Sequence, residues 1–125
     1  MRDFSVHLTH RPGELARVAA VLSQHCVNLK AIVGLALGKE VIVRFIPHDL
    51  EAARAAFDSA AIRFEESEIV QVLLENRAGE LAMVSSKLAG AGVNLRAIYL
   101  TGVEDNLVEL AIASDNVAHT RRLLG

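Results

Sequence analysis

The chain contains an internal repeat. The segment Arg11-Pro12-Gly13-Glu14-Leu15-Ala16 returns 66 residues later as Arg77-Ala78-Gly79-Glu80-Leu81-Ala82. The same offset carries Val27-Asn28-Leu29-Lys30-Ala31-Ile32 onto Val93-Asn94-Leu95-Arg96-Ala97-Ile98, and Val6, Leu8, Val18 and Leu22 onto Val72, Leu74, Val84 and Leu88. Repetition of both the apolar positions and the loop groups means that each copy must form the same supersecondary unit around its own core. A length of 125 residues, which alone suggests one ordinary domain, thus divides into two modules, 1–68 and 69–125. Modules of about 60 residues bury only about 60% of their unfolded surface, so each is expected to lean on its twin or on another chain.

In the first copy Phe4, Val6 and Leu8 alternate with Ser5, His7 and Thr9, the pattern of a half-buried strand. Leu15, Val18, Ala19, Leu22 and Cys26 then recur at helical spacing, with Pro12 in the first helical position and Glu14 near the positive helix end. Val27 to Leu37 and Val41 to Ile46 read as a hairpin around Gly38-Lys39. His48 and Asp49 start a second helix with Leu50, Ala53 and Phe57 inward, and Ile62 to Glu68 alternates as a fourth strand. The order is βαββαβ, an α+β ferredoxin-like arrangement with both helices on one face of a four-stranded antiparallel sheet. The second copy runs through Val70 to Leu74, a helix from Gly79 to about Ala91, strands Val93 to Thr101 and Leu107 to Ile112, and a helix from near Ser114. It lacks a last strand. The edge of the strand Ile69 to Glu75 is therefore left to be covered by another chain, by the stretch Ile62 to Leu74, or by residues beyond 125.

Composition excludes several classes. Apolar residues make up 52% and charged residues 22%, too apolar for a disordered chain. No apolar run approaches the roughly 18 to 20 residues that span a bilayer, so no membrane partner is expected. Aromatics are 4% with no Trp, and the net charge is −2, so neither stacking platforms nor a basic excess favours nucleic acid. Cores of Leu, Val, Ile and Ala are expected. A single cysteine, Cys26, and an N-terminus that opens on charge indicate a cytoplasmic protein in which Cys26 is a small buried hydrophobe. The five histidines lack ligand spacing, and His7 and His10 belong to different faces, so no metal and no cofactor are expected.

At the repeated turns the sequence resembles the ACT domain family of small-molecule-binding regulatory modules, whose recurring features are Asn-x-Pro-Gly-x-Leu at the first strand-to-helix turn and Val-Asn-Ile or Val-Asn-Leu at the second strand. Asn76-Arg77-Ala78-Gly79-Glu80-Leu81 with Val93-Asn94-Leu95 departs from that pattern only at Ala78. His10-Arg11-Pro12-Gly13-Glu14-Leu15 with Val27-Asn28-Leu29 keeps the Pro and has His10 for Asn. The resemblance covers essentially the whole chain and implies a tandem ACT protein, with amino acids bound at module interfaces by these turns and by Asn28 and Asn94.

The residues support such a site on their own terms. A helix N-terminus after a glycine turn can receive a carboxylate, and an Asn amide can serve both ends of a zwitterion. Two readings stay open for each group. Gly13 and Gly79 serve a ligand or only the turn; Asn28 and Asn94 bind a ligand or cap the turn; Glu14 and Glu80 answer the helix dipole rather than act as bases; Arg11 and Arg77 are solvated charges or guide an anionic ligand. His10 against Asn76 makes the sites unequal, with the second copy the better binder. The function expected is that of a non-enzymatic, allosteric regulator that binds an amino acid or similar metabolite and changes its association with itself, as a homodimer, or with a regulated enzyme. The alternative is a ligand-free interaction subunit. An isomerase or mutase on this scaffold would need a positioned acid-base pair or nucleophile that the sequence does not offer.

Overall fold

The structure is a computed structural model that describes all 125 residues. Both repeated turns are built on glycine in the left-handed region, Gly13 at φ +89° and Gly79 at +94°, a conformation in which any side chain is strained. A Cβ at either position would meet nothing within 4 Å, so backbone conformation rather than crowding within the chain demands the glycine. Each glycine is the N-cap of the helix that follows, so Pro12 lies in the turn and not in the first helical position.

The first unit, Arg2–Ser67, runs β1 (Arg2–Thr9), α1 (Glu14–Gln24), β2 (Leu29–Leu37), β3 (Glu40–Pro47), α2 (Leu50–Ser59) and β4 (Glu65–Glu68, its last residue assigned by contacts to the following unit). The sheet order is β2-β3-β1-β4, the ferredoxin-like order, with β1 and β2 each antiparallel to β3. Asp49 caps α2 by accepting from the Ala52 N–H at 3.1 Å. The fourth strand is shorter than the alternation suggests. After α2 the chain turns through Ala61 at φ +54°, and Ile62 and Phe64 pack on the core before β4 begins at Glu65.

That core is more aromatic than the composition suggests. All four phenylalanines of the chain, Phe4, Phe45, Phe57 and Phe64, meet in it with ring centroids 5.1 to 6.2 Å apart. A pair of aromatic rings contributes about 0.5–1.5 kcal/mol beyond area burial, so this cluster anchors α2 to the sheet through Phe57. Arg54 reaches from α2 to Glu66 on β4 with two hydrogen bonds, Nε to Oε2 at 2.8 Å and Nη2 to Oε1 at 2.9 Å, and Arg2 on β1 adds a third at 3.0 Å.

Residues 68–125, grouped with Met1, form the second unit: β5 (Val70–Glu75), α3 (Glu80–Gly90), β6 (Leu95–Glu104), β7 (Leu107–Ser114) and α4 (Val117–Leu124). Its three strands pair as β5-β7-β6, leaving β5 as an edge of its own sheet. Here the core is aliphatic, from Val70, Val72, Val84, Leu88, Val93 and Ile112, as composition leads one to expect. The two copies also differ by one residue. A register shift between Leu100 and Gly102 marks a bulge, where the Thr101 hydroxyl donates to the Glu109 carboxylate at 2.7 Å. Beyond the bulge the offset is 67, which is why the α4 cap is Asn116, the counterpart of Asp49.

Two expectations about α1 are corrected. Only Val18 and Leu22 are buried, whereas Leu15 and Ala19 are exposed and line an open groove. Cys26 is exposed rather than buried, because α1 ends at Gln24 and Cys26 turns outward at φ +55°.

Candidate functional site

In the second unit the turn before α3 gathers Asn76, Arg77, Glu80 and Leu81 on the rim of a cavity of about 530 Å³. Asn76 is fixed through its backbone, its N–H donating to the Asn106 carbonyl at 2.6 Å, while its side-chain amide makes no hydrogen bond within the chain. Arg77 donates from Nε to Glu80 Oε1 at 2.8 Å and sets Nη1 3.0 Å from Glu75 Oε2. These bonds raise the Arg77 pKa, first through the Glu80 hydrogen bond and then through the charges of Glu75 and Glu80. Glu80, only 9% exposed, opens the helix, and no side chain caps α3, so first-turn N–H groups remain available to an anion. Behind this polar rim the wall is apolar: Leu74, Ile98, Tyr99 and Leu110 line it.

Ala78 and Gly79 shape the turn but do not border this cavity. Asn94 is elsewhere engaged. Its backbone N–H donates to Asp115 Oδ1 at 3.0 Å and its Nδ2 to Oδ2 at 3.1 Å, so its side chain pairs with an acid rather than with the backbone of the turn.

The first unit arranges the equivalent residues differently. His10 is drawn to the β2–β3 hairpin twice, its N–H donating to the Lys39 carbonyl at 2.8 Å and its Nδ1 lying 3.3 Å from the Gly38 carbonyl. Glu14 is held loosely between Arg11 at 3.7 Å and Arg17 at 3.5 Å. Pro12 and Gly13 are exposed in the turn, and α1, like α3, has no side-chain cap. The groove beside α1, about 260 Å³, is bordered instead by Leu15 and Asn28 with Val18, Ala19 and Leu22. Here Asn28 has a free side chain: only its carbonyl is used, accepting from the His48 N–H at 2.9 Å. Past the bulge His48 is the counterpart of Asp115, so the acid that engages Asn94 has no equivalent beside Asn28.

The motif thus places its parts in two settings. In the second unit Asn76, Arg77, Glu80 and Leu81 share a cavity and the Val-Asn-Leu asparagine is committed elsewhere; in the first, that asparagine and Leu15 border a groove that His10, Arg11 and Glu14 do not. The apolar wall of the larger cavity was not singled out from the sequence, and Arg77 only as one of two readings. The alternation of β7, where Val108 and Leu110 share a face, was the available signal for part of that wall. His7 pairs with Glu40 at 2.6 Å, and no group of three or more His, Cys, Asp or Glu could hold a metal ion. No helix is long and apolar enough to cross a membrane.

No protein-family model matches the sequence, and no curated protein matches it. Solved structures do. A Bacteroides thetaiotaomicron protein designated BT0572 is similar at TM-score 0.85 and 24% identity over 98% of this chain and 84% of its own. The regulatory subunit of aspartate kinase from Thermus thermophilus, in a ligand-free form, is similar at TM-score 0.68 and 15% identity, covering 98% and 88%. Aspartokinase III of E. coli, in complex with lysine and aspartate, is similar at TM-score 0.53 and 17% identity over 98% of this chain and 30% of that one. The fold is accordingly α+β and ferredoxin-like, a βαββαβ unit followed by a βαββα unit, and is shared with the regulatory subunit of aspartate kinase from Thermus thermophilus.

Proposed function

We propose that this chain is a cytoplasmic, non-enzymatic regulator that binds an amino acid or similar small metabolite and changes its association with itself or with a partner enzyme in response. The observation that carries the reading is the cavity of the second unit, where Asn76, Arg77 and Glu80 stand around the uncapped start of α3. Nη2 of Arg77, Oε2 of Glu80 and the Asn76 amide make no hydrogen bond within the chain, which supplies donors for a carboxylate and acceptors for an ammonium group. The similarity to an aspartokinase solved with lysine and aspartate supports an amino acid as ligand. The first-unit residues His10 to Leu15 with Asn28 form the weaker site in this reading, because His10 is spent on the hairpin.

Regulation requires that the ligand bind two arrangements unequally, since equal affinity shifts nothing. The exposed apolar edge of β2 supports a homodimer as one of those arrangements. A second reading, a ligand-free interaction subunit, is favoured by the capture of Asn94 by Asp115. Thermal denaturation in the presence of each of the twenty amino acids separates the two, because a ligand that binds only the folded state raises the Tm by mass action. A rise with at least one amino acid at millimolar concentration is expected; no rise with any of them selects the interaction subunit.

A further inference from the structure

The geometry points to an amino acid with an apolar side chain, such as leucine or phenylalanine, as the ligand of the second-unit cavity, with its carboxylate on Arg77 and the α3 N-terminus and its ammonium group on Glu80. This inference rests on the binding reading above and adds the chemical class of the ligand.

The charges of the cavity are confined to one end. Arg77, Glu80 and Glu75 sit together at the turn, and their ion pairs run 2.8 and 3.0 Å from a single guanidinium. A zwitterion complements that end without altering its net charge, its carboxylate meeting the free Nη2 and its ammonium the free Oε2. Away from the turn the lining is carbon, from Leu81, Ile98, Leu100, Val103 and Leu110. No acid stands there to meet a lysine side chain and no base to meet that of aspartate. Either charge would find no partner along that wall, whereas an aliphatic or aromatic side chain would cover exposed apolar surface. Leu81, Leu100 and Val103 are 56%, 61% and 60% exposed, so that surface is at present turned to water. A volume of about 530 Å³ lies within the range of about 300–1,000 Å³ usual for small-molecule sites and leaves room for a branched or aromatic side chain.

Calorimetric titration and Tm shifts of the full chain with leucine, phenylalanine, alanine, threonine, lysine and aspartate, and with 4-methylpentanoate as leucine without its amino group, test the assignment. Leucine or phenylalanine is expected to bind at least tenfold tighter than alanine, as a hydrophobic pocket discriminates by side-chain size. The deamino analogue should bind at least tenfold more weakly than leucine. Arg77→Ala and Leu100→Ser alter exposed side chains that leave the core intact, and each should weaken leucine binding severalfold or more, while Arg63→Ala, at an exposed arginine outside both sites, should not. Binding of lysine, threonine or aspartate in preference to leucine and phenylalanine overturns the ligand class and leaves the binding reading standing. Leucine binding that survives Arg77→Ala but is lost in Asn28→Ala overturns the location. Absence of any shift with all twenty amino acids removes the binding reading itself, and the ligand class with it.

Discussion

Cys26 and Gly92 do the same job with different residues. Each follows a helix of the repeat, each has positive φ, 55° and 72°, and each is closed by the same pair of bonds. The next residue, Val27 or Val93, donates to the carbonyl of Leu22 or Leu88, while Cys26 or Gly92 itself donates to Ser23 or Ala89. A residue with a Cβ is strained there by about 1–2 kcal/mol, and glycine is not. Cys26→Gly is therefore expected to raise stability by about 1 kcal/mol and Gly92→Ala to lower it by a similar amount, read as midpoint shifts in urea denaturation at unchanged slope. A destabilised Cys26→Gly would mean that the thiol makes contacts worth more than the strain it imposes. The sequence places a cysteine at helical spacing and so invites the reading of a buried hydrophobe, because periodicity cannot show that the helix has already ended two residues earlier.

At the scale of elements, the repeat made most of the fold legible, since Gly13 with Gly79 and the apolar alternation each had to serve two copies. The bulge at Thr101 was hidden, because one added residue changes pairing without breaking the hydrophobic pattern of β6. The closure of Asn94 was hidden for a related reason: its partner Asp115 lies beyond the bulge and outside the motif. Nor does alternation reveal that β4, paired to β1, is also tied down by charge. Arg54 and Arg2 hold Glu66 below the usual carboxylate range, the Arg54 hydrogen bonds being the largest cause and burial acting in opposition. A carboxylate with a depressed folded-state pKa contributes stability that is fully present above its unfolded pKa and is lost as pH falls through the folded value. Glu66→Gln should accordingly lower the Tm by a few degrees at pH 7, and the gap between wild type and variant should close as pH drops below the ordinary carboxylate value of 4.5. A gap that persists undiminished in strong acid would show that Glu66 acts through shape rather than charge.

For the whole molecule, the exposed apolar surface is not spread evenly but concentrated on sheet edges. On β2, Ile32, Val33, Leu35 and Leu37 are 48 to 59% exposed, and β2 pairs on one side only, with β3. β6 is likewise an edge, with Leu100 and Val103 exposed. A long apolar edge offers unpaired N–H and C=O groups together with side chains that water solvates poorly, and natural sheets ordinarily blunt such edges with charge. The four β2 residues carry none, and a net charge of −2 gives little self-repulsion to oppose association. The chain is thus expected to sediment as a dimer at micromolar concentration. Full burial of a leucine contributes about 1.5–3 kcal/mol, so Leu35→Lys removes that gain and adds a charge to desolvate, which should weaken dimerisation by tenfold or more. Because Leu35 is 59% exposed, the variant should keep the circular dichroism of the parent while sedimenting as a monomer. A parent chain that is monomeric at micromolar concentration, or a variant that dimerises as tightly as the parent, would move the association surface away from β2 and leave ligand-dependent association to be sought at β5 or β6.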